Sequence, residues 1–165
     1  MICLIGVDHV IQHGGYLDTR KEVALREFQS YLAQVVQEKR VDMIAEEFSE
    51  VALERSNTDF STCRKLALSL KIDHLFCDPT PEEREALKIE TDEQREQEWL
   101  NRIRDSFRMN VLFICGSEHL QSFGRLLAAN GFKVAILSDG WGYAYLGKGS
   151  VEYFTPDYSQ EEKKA

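Results

Sequence analysis

Residues 111–119 read VLFICGSEH: five apolar residues without a polar interruption, a glycine, and a short polar stretch that ends in histidine. A strand that alternates its side chains between two faces needs every position apolar only when both faces are covered. This run therefore predicts a central strand with helices on either side. Residues 2–9, ICLIGVDH, repeat the plan: an apolar run, then glycine, a variable residue, an acid and histidine. Ten glycines and four histidines in 165 residues would give roughly a quarter of one Gly-x-x-His by chance. Here there are two, Gly6-x-x-His9 and Gly116-x-x-His119.

Working outward from 111–119, Glu118–Asn130 reads as a helix with Gly131 as its stop, and Val134–Leu137 as the next strand. A glycine- and aromatic-rich stretch follows from Gly140, leading to an edge strand at Val151–Phe154. On the other side, a strongly charged helix spans Thr91–Phe107, and Thr80-Pro81-Glu82-Glu83 starts a helix, with proline and acids in its first turn. Ile72–Cys77 and Val41–Phe48 read as strands, with a helix over Phe60–Leu70 between them. Thr19-x-x-Glu22 is a capping box, and Leu25, Phe28, Leu32 and Val35 form one helical face ending near Lys39–Arg40. Strand and helix alternate throughout, so the expected fold is α/β with a mostly parallel central sheet flanked by helices. Residues 1–158 are expected to form a single domain, and 159–165 a flexible tail.

Composition narrows the function classes. The chain is 43% apolar and 29% charged, with a net charge of −8 and a pI near 5.1. Nucleic acids and anionic membranes select a basic footprint, so neither is an expected partner. Cys3, Cys63, Cys77 and Cys115 form no C-x-x-C pair and lie mostly in apolar runs. Reduced, buried thiols of a cytoplasmic protein fit that usage better than a disulfide framework or a zinc ribbon. The first apolar run is broken by Asp8 and is too short for a signal or membrane segment.

In an open parallel sheet the functional crevice lies beyond the carboxyl ends of the strands. His9, Glu46, Glu47, Asp78 and His119 all fall at or just past such ends. His119, in the first turn of its expected helix, is predicted to stay neutral beside the positive helix end. Gly116 would let a ligand approach the backbone. Glu46 and Glu47 point to opposite faces, so one at most meets any given pocket, and the sequence does not choose between them. Arg95 leads by steps of four to Trp99, Ile103 and Phe107, which aligns its guanidinium with a core-facing stripe and a carboxylate partner. Arg102 and Arg104 flank that stripe and are expected in solvent. His13-Gly14-Gly15 reads as a substrate-facing loop or a plain turn, and His9 and His13 lack a helical pattern for a zinc face. Gly142-x-x-x-x-Gly147-Lys148 resembles a phosphate loop, but Gly149 replaces the Ser/Thr and strand-like SVEYF follows, so no nucleotide is expected. Trp141, Tyr143 and Tyr145 read as an aromatic turn on the sheet edge or as pocket lining.

Two Gly-x-x-His motifs, a glutamate after an early strand, and an arginine on the helix before the second motif together resemble the Tiki/TraB superfamily, which includes erythromycin-esterase-like and ChaN-like proteins. The matching residues are Gly6 and His9, Glu46 or Glu47, Arg95 in REQEWLNRI, and Gly116 with His119. The resemblance implies an α/β fold with histidines and acid in one cleft, and covers peptidases, esterases and haem binders. The expected catalytic set is His9, Glu46 or Glu47, Arg95 and His119, with Gly6, Asp8, His13, Gly116 and Glu118 around a small-molecule or peptide substrate. In a metal mechanism His9, Glu47 and His119 would hold a divalent ion that activates water. In a metal-free one a histidine is the general base, oriented by the glutamate. The competing class is a binding module that uses the same cleft for haem or a small anionic ligand. Homo-oligomerisation stays open.

Overall fold

The computed structural model describes residues 1–13, 19–142 and 152–154. Strand β1 (Ile2–Val7) leads into a short helix α1 (His9–His13), and α2 (Thr19–Lys39) returns along the sheet to β2 (Met43–Glu46). Helices α3 (Glu50–Arg55) and α4 (Thr62–Leu70) precede β3 (Asp73–Phe76). Helices α5 (Pro81–Leu87) and α6 (Asp92–Ile103) lead to β4 (Val111–Gly116), and α7 (Leu120–Ala129) to β5 (Val134–Trp141), with β6 (Glu152–Phe154) last. The sheet order is β3-β2-β4-β1-β5-β6. The first five strands are parallel, and β6 runs antiparallel along the edge of β5.

The apolar run that decided the fold class behaves as its pattern requires. Val111, Phe113 and Cys115 enter one core with Trp99, Leu100, Ile103, Phe123 and Leu127 from α6 and α7. Leu112 and Ile114 enter the other, with Phe28, Leu32, Val35, Cys63 and Ala67 from α2 and α4. Trp99, fully buried against Phe113 and Phe123, anchors the first core, and truncating it to alanine would cost about 3–5 kcal/mol. No described helix is long and apolar enough to cross a membrane.

Local signals set the helix ends. Pro81 opens α5 with Glu82 and Glu83 in its first turn, as read from the sequence, and Thr80 caps it with a reciprocal Glu83 contact. Thr91 caps α6 in the same way with Gln94. Gly131 takes φ +86° just past α7, a left-handed conformation that favours glycine. Three expectations change. His9–His13 is helical, not irregular. The α6 stripe is Glu96, Trp99, Leu100 and Ile103, while Phe107 lies past the helix end and is exposed. Arg102 is held by Glu83 at 3.0 Å and Glu98 at 2.9 Å, not released to solvent. All four described cysteines are buried free thiols. Tyr143, Tyr145, Gly14, Gly15, most of the rejected phosphate loop and the 159–165 tail lie outside the described residues, as does the side chain of Thr19 in the capping box. Trp141 packs on Phe28 and Tyr31.

This topology places a crevice. The chain leaving β2 runs through α4 to β3 on one face, and the chain leaving β4 runs through α7 to β5 on the other. Their carboxyl ends are neighbours with connections diverging to opposite sides, the arrangement that opens a pocket in doubly wound sheets.

Candidate functional site

Both strand-end glutamates are buried, and the alternation along β2 sends them to opposite faces. Ile44 belongs to the core under α2 and α4, and Glu46, two residues on, emerges on that same side. Its carboxylate accepts from Gln12 Nε2 at 2.8 Å, pairs with His74 Nε2 at 2.7 Å, and accepts from the Ser61 hydroxyl. Glu47 emerges toward α6 and α7. Arg95 Nη2 donates to its Oε1 at 2.7 Å and the Gly116 amide to its Oε2 at 2.8 Å. His119 Nε2 lies 3.6 Å from Oε1 and His9 Nε2 3.8 Å from Oε2. Of the two acids the sequence left open, Glu47 thus meets His9, Arg95 and His119 together, while Glu46 builds a second cluster behind it.

Arg95 is an acid-locked group. Asp78 Oδ1 accepts from its Nε at 3.2 Å and its Nη2 at 2.9 Å, and Asp92 Oδ1 from its Nη1 at 3.0 Å. Burial opposes its charge, but Asp78 and Glu47 outweigh that and raise its pKa further. Asp78 also accepts from Trp99 Nε1 at 3.2 Å and from Arg84 Nη2 at 2.6 Å, so β3's end is tied to both helices that follow it.

The surroundings of His119 favour its protonated form, where the helix end was expected to disfavour it. His119 sits in a 3₁₀ turn, Ser117–His119, just before α7. Its Nδ1 is 2.9 Å from Glu96 Oε1, which also accepts from Ser122 Oγ at 2.5 Å. Burial pushes its pKa down and Arg95 opposes protonation too. The Glu96 hydrogen bond and the Glu47 and Glu96 carboxylates outweigh both, leaving the pKa raised above its ordinary 6.5. The two carboxylates win over the helix end because they are closer and carry full charges.

His9 is the solvent-facing member, with its side chain 43% exposed. The buried Gln12 amide fixes its tautomer. Gln12 Nε2 donates to Glu46 Oε2 and to the Glu47 carbonyl at 3.2 Å, so Gln12 Oε1 must face His9 Nδ1, 2.9 Å away. An amide oxygen only accepts, so Nδ1 carries the hydrogen. In the neutral ring Nε2 then holds the lone pair, in the crevice beside Glu47.

The remaining expected residues serve these groups. Asp8 Oδ1 accepts from the Val10 amide at 3.0 Å and starts α1. His13 stacks on Phe48, ring centroids 6.4 Å apart. Glu118 is exposed above Gly116. Gly116 does not offer a free amide to a ligand, since that N–H holds Glu47. Gly6 is closed over by Asp139, Leu120 and Ser117. Burial pushes the Cys63 and Cys115 thiols well up, aided by Glu46 and Glu47 respectively, which argues against a thiolate nucleophile.

Among the described residues, no group of three or more His, Cys, Asp or Glu is placed to hold a metal ion. Glu47, the central acid of the expected His9–Glu47–His119 set, accepts from the Arg95 guanidinium at 2.7 Å and from the Gly116 amide, so a divalent ion on it would be set against a cation already held there. This donor set does not fit a resident divalent ion.

Sequence reasoning missed Gln12, Ser61, His74, Glu96 and Ser122. Glu96 had a signal: with Trp99, Leu100 and Ile103 it forms the i, i+3, i+4, i+7 stripe of α6, and a carboxylate on a core stripe requires a buried partner. His74 had a weaker one, being on the same face as Glu46 once β2 and β3 pair in register. No family model, curated protein or solved structure matches the chain.

Proposed function

We propose that this chain is a small Tiki/TraB-like hydrolase, working without a metal on an ester or amide of a small molecule or peptide, with His9 as general base. The observation that carries the reading is the Gln12 amide. It fixes the hydrogen on His9 Nδ1 and leaves Nε2, at the crevice, as the basic nitrogen.

In the proposed step His9 Nε2 takes a proton from water as the water oxygen bonds to the substrate carbonyl carbon. The imidazolium so formed gains the Glu47 carboxylate 3.8 Å away as counter-charge. The proton then passes from Nε2 to the leaving oxygen or nitrogen as the carbonyl–leaving-group bond breaks. Arg95, with donors spent on Asp78, Asp92 and Glu47, is a positioning residue that holds the Glu47 carboxylate. His119 bridges the Glu47 and Glu96 carboxylates.

A panel of nitrophenyl esters and aminoacyl nitroanilides tests this with wild-type protein and His9→Ala, each with and without EDTA. The expected result is turnover that survives the chelator and is lost in His9→Ala. Turnover abolished by EDTA would overturn the metal-free step, and turnover intact in His9→Ala would overturn the site. A Soret band on adding haem, lost in His9→Ala and unaccompanied by turnover, would assign the crevice to haem binding instead.

A further inference from the structure

A cleft of about 370 Å³ opens beside this site, between α3 and the start of α5, with Asp78 forming part of its wall. Its charge is opposite to that of the protein. In a chain of net charge −8, the charged residues lining the cleft are Arg55, Arg84 and Asp78. The one acid among them is already committed, its Oδ1 to Arg95 and Trp99 and its Oδ2 to Arg84.

Arg55 ends α3 and is exposed. Among the described residues it has no hydrogen-bond or ion-pair partner, and its charge acts on the exposed Glu82 only from beyond ion-pair distance. Among the described residues nothing engages its five N–H donors, at a cleft that also presents Ser49 and Ser56. Val51 and Pro79 give the cleft an apolar wall.

We propose that this cleft is an oxyanion subsite, in which Arg55 receives the carboxylate or phosphate group of a small molecule whose apolar part lies against Val51 and Pro79. A planar guanidinium matches either group with paired hydrogen bonds, and Arg84, held in place by Asp78, adds a second positive charge. The subsite deepens the hydrolase reading by naming an anionic substrate class. It rests on that reading only for its purpose, because Asp78 joins the cleft wall to the Arg95–Glu47 pair.

Titration with inorganic phosphate and, separately, acetate at constant ionic strength, followed by amide NMR, tests binding without requiring turnover. Wild-type protein is expected to show saturable shifts at Ser49, Ala52 and Ser56 with at least one of the two probes. Arg55→Gln, a change at an exposed position, should weaken that binding at least tenfold, and Arg125→Gln, on the exposed side of α7, should leave it unchanged. Saturation by phosphate alone would identify a phosphate-bearing ligand, and by acetate a carboxylate. Shifts that do not saturate, or equal binding by Arg55→Gln and wild type, would overturn the subsite. Saturable binding with no hydrolysis of any substrate would leave the subsite standing and remove the hydrolase reading.

Discussion

His119 Nδ1 stands 2.9 Å from Glu96 Oε1, with both side chains only 4% exposed. A buried carboxylate is tolerated where hydrogen bonds and opposite charge replace water, and here Ser122 supplies a second donor to the same oxygen. Glu47 continues the sequence on the far side of the ring, followed by Arg95, Asp78 and Arg84. The crevice thus rests on an alternating series of acids and bases, each satisfied by its neighbours.

This pair makes stability depend on pH with a definite sign. The folded-state pKa of His119 is raised above 6.5, so folded protein keeps the proton to higher pH than the unfolded chain does. The contribution to stability is complete below the unfolded pKa and is lost as pH rises through the folded one. Urea unfolding of wild type and His119→Asn from about pH 5.5 to about pH 8.5 reads it directly. The advantage of wild type should shrink as pH climbs above 6.5, and a margin that is flat or grows with pH would refute the assignment.

Glu96 should behave as the base of this series. Glu96→Leu leaves the His119 ring and the Ser122 hydroxyl without their buried acceptor and should cost about 3 kcal/mol in denaturant unfolding. Glu96→Gln keeps an acceptor but loses the charge. It should cost less and should move the His119 transition to lower pH, as followed by the imidazole resonances. Equal costs for the two variants would show that the lost charge, and not the retained acceptor, decides this position.

The fold was legible because apolar runs and helix stripes are periodic signals that packing on two faces enforces, as Val111–Cys115 and the α6 residues Trp99, Leu100 and Ile103 illustrate. The short helices α1 and α3 were not: five and six residues hold too few turns to display a stripe. At the site, His9, Glu47, Arg95 and His119 could be named because strand ends converge in a parallel sheet. Gln12 and Ser61 could not. Their roles depend on α1 and α4 meeting over Glu46, a long-range contact that leaves no spacing in the sequence. The direction in which its neighbours push the His119 pKa was misread for a related reason: the helix end is local and visible, while Glu96 is 23 residues away.

The two motif glycines should differ in tolerance although they look alike in sequence. A methyl group on Gly6 would lie 2.6 Å from Asp139 Oδ1, 2.7 Å from Leu120 Cδ1 and 2.9 Å from Ser117 Oγ. Asp139 Oδ1 is fully buried, so it has little room to yield. Gly6→Ala should therefore cost about 1–3 kcal/mol in denaturant unfolding. At Gly116 the nearest atoms are the carboxyl of exposed Glu118 at 3.1 Å, which can swing away. Gly116→Ala should stay within about 1 kcal/mol of wild type. Reversed costs would mean that the second glycine, not the first, marks the tight approach.

Gln12 gives the sharpest test of how His9 is prepared. Gln12→Leu removes the acceptor of His9 Nδ1 together with the donor to Glu46 Oε2 and the Glu47 carbonyl. Losing these buried hydrogen bonds should cost about 1–3 kcal/mol of stability while the fold persists. On a substrate that wild type hydrolyses, kcat should fall about 10- to 100-fold, as for other losses of an orienting partner, with KM little changed. The double variant Gln12→Leu/His9→Ala should be no slower than His9→Ala alone, because Gln12 acts through the ring that is already gone. A structural role for Gln12 would produce some of the same loss, so the deciding readout is the tautomer. Imidazole nitrogen shifts of neutral His9 should report hydrogen on Nδ1 in wild type and a mixture in Gln12→Leu. If both proteins show the same tautomer balance, the amide does not set the base, and the His9 mechanism loses its support.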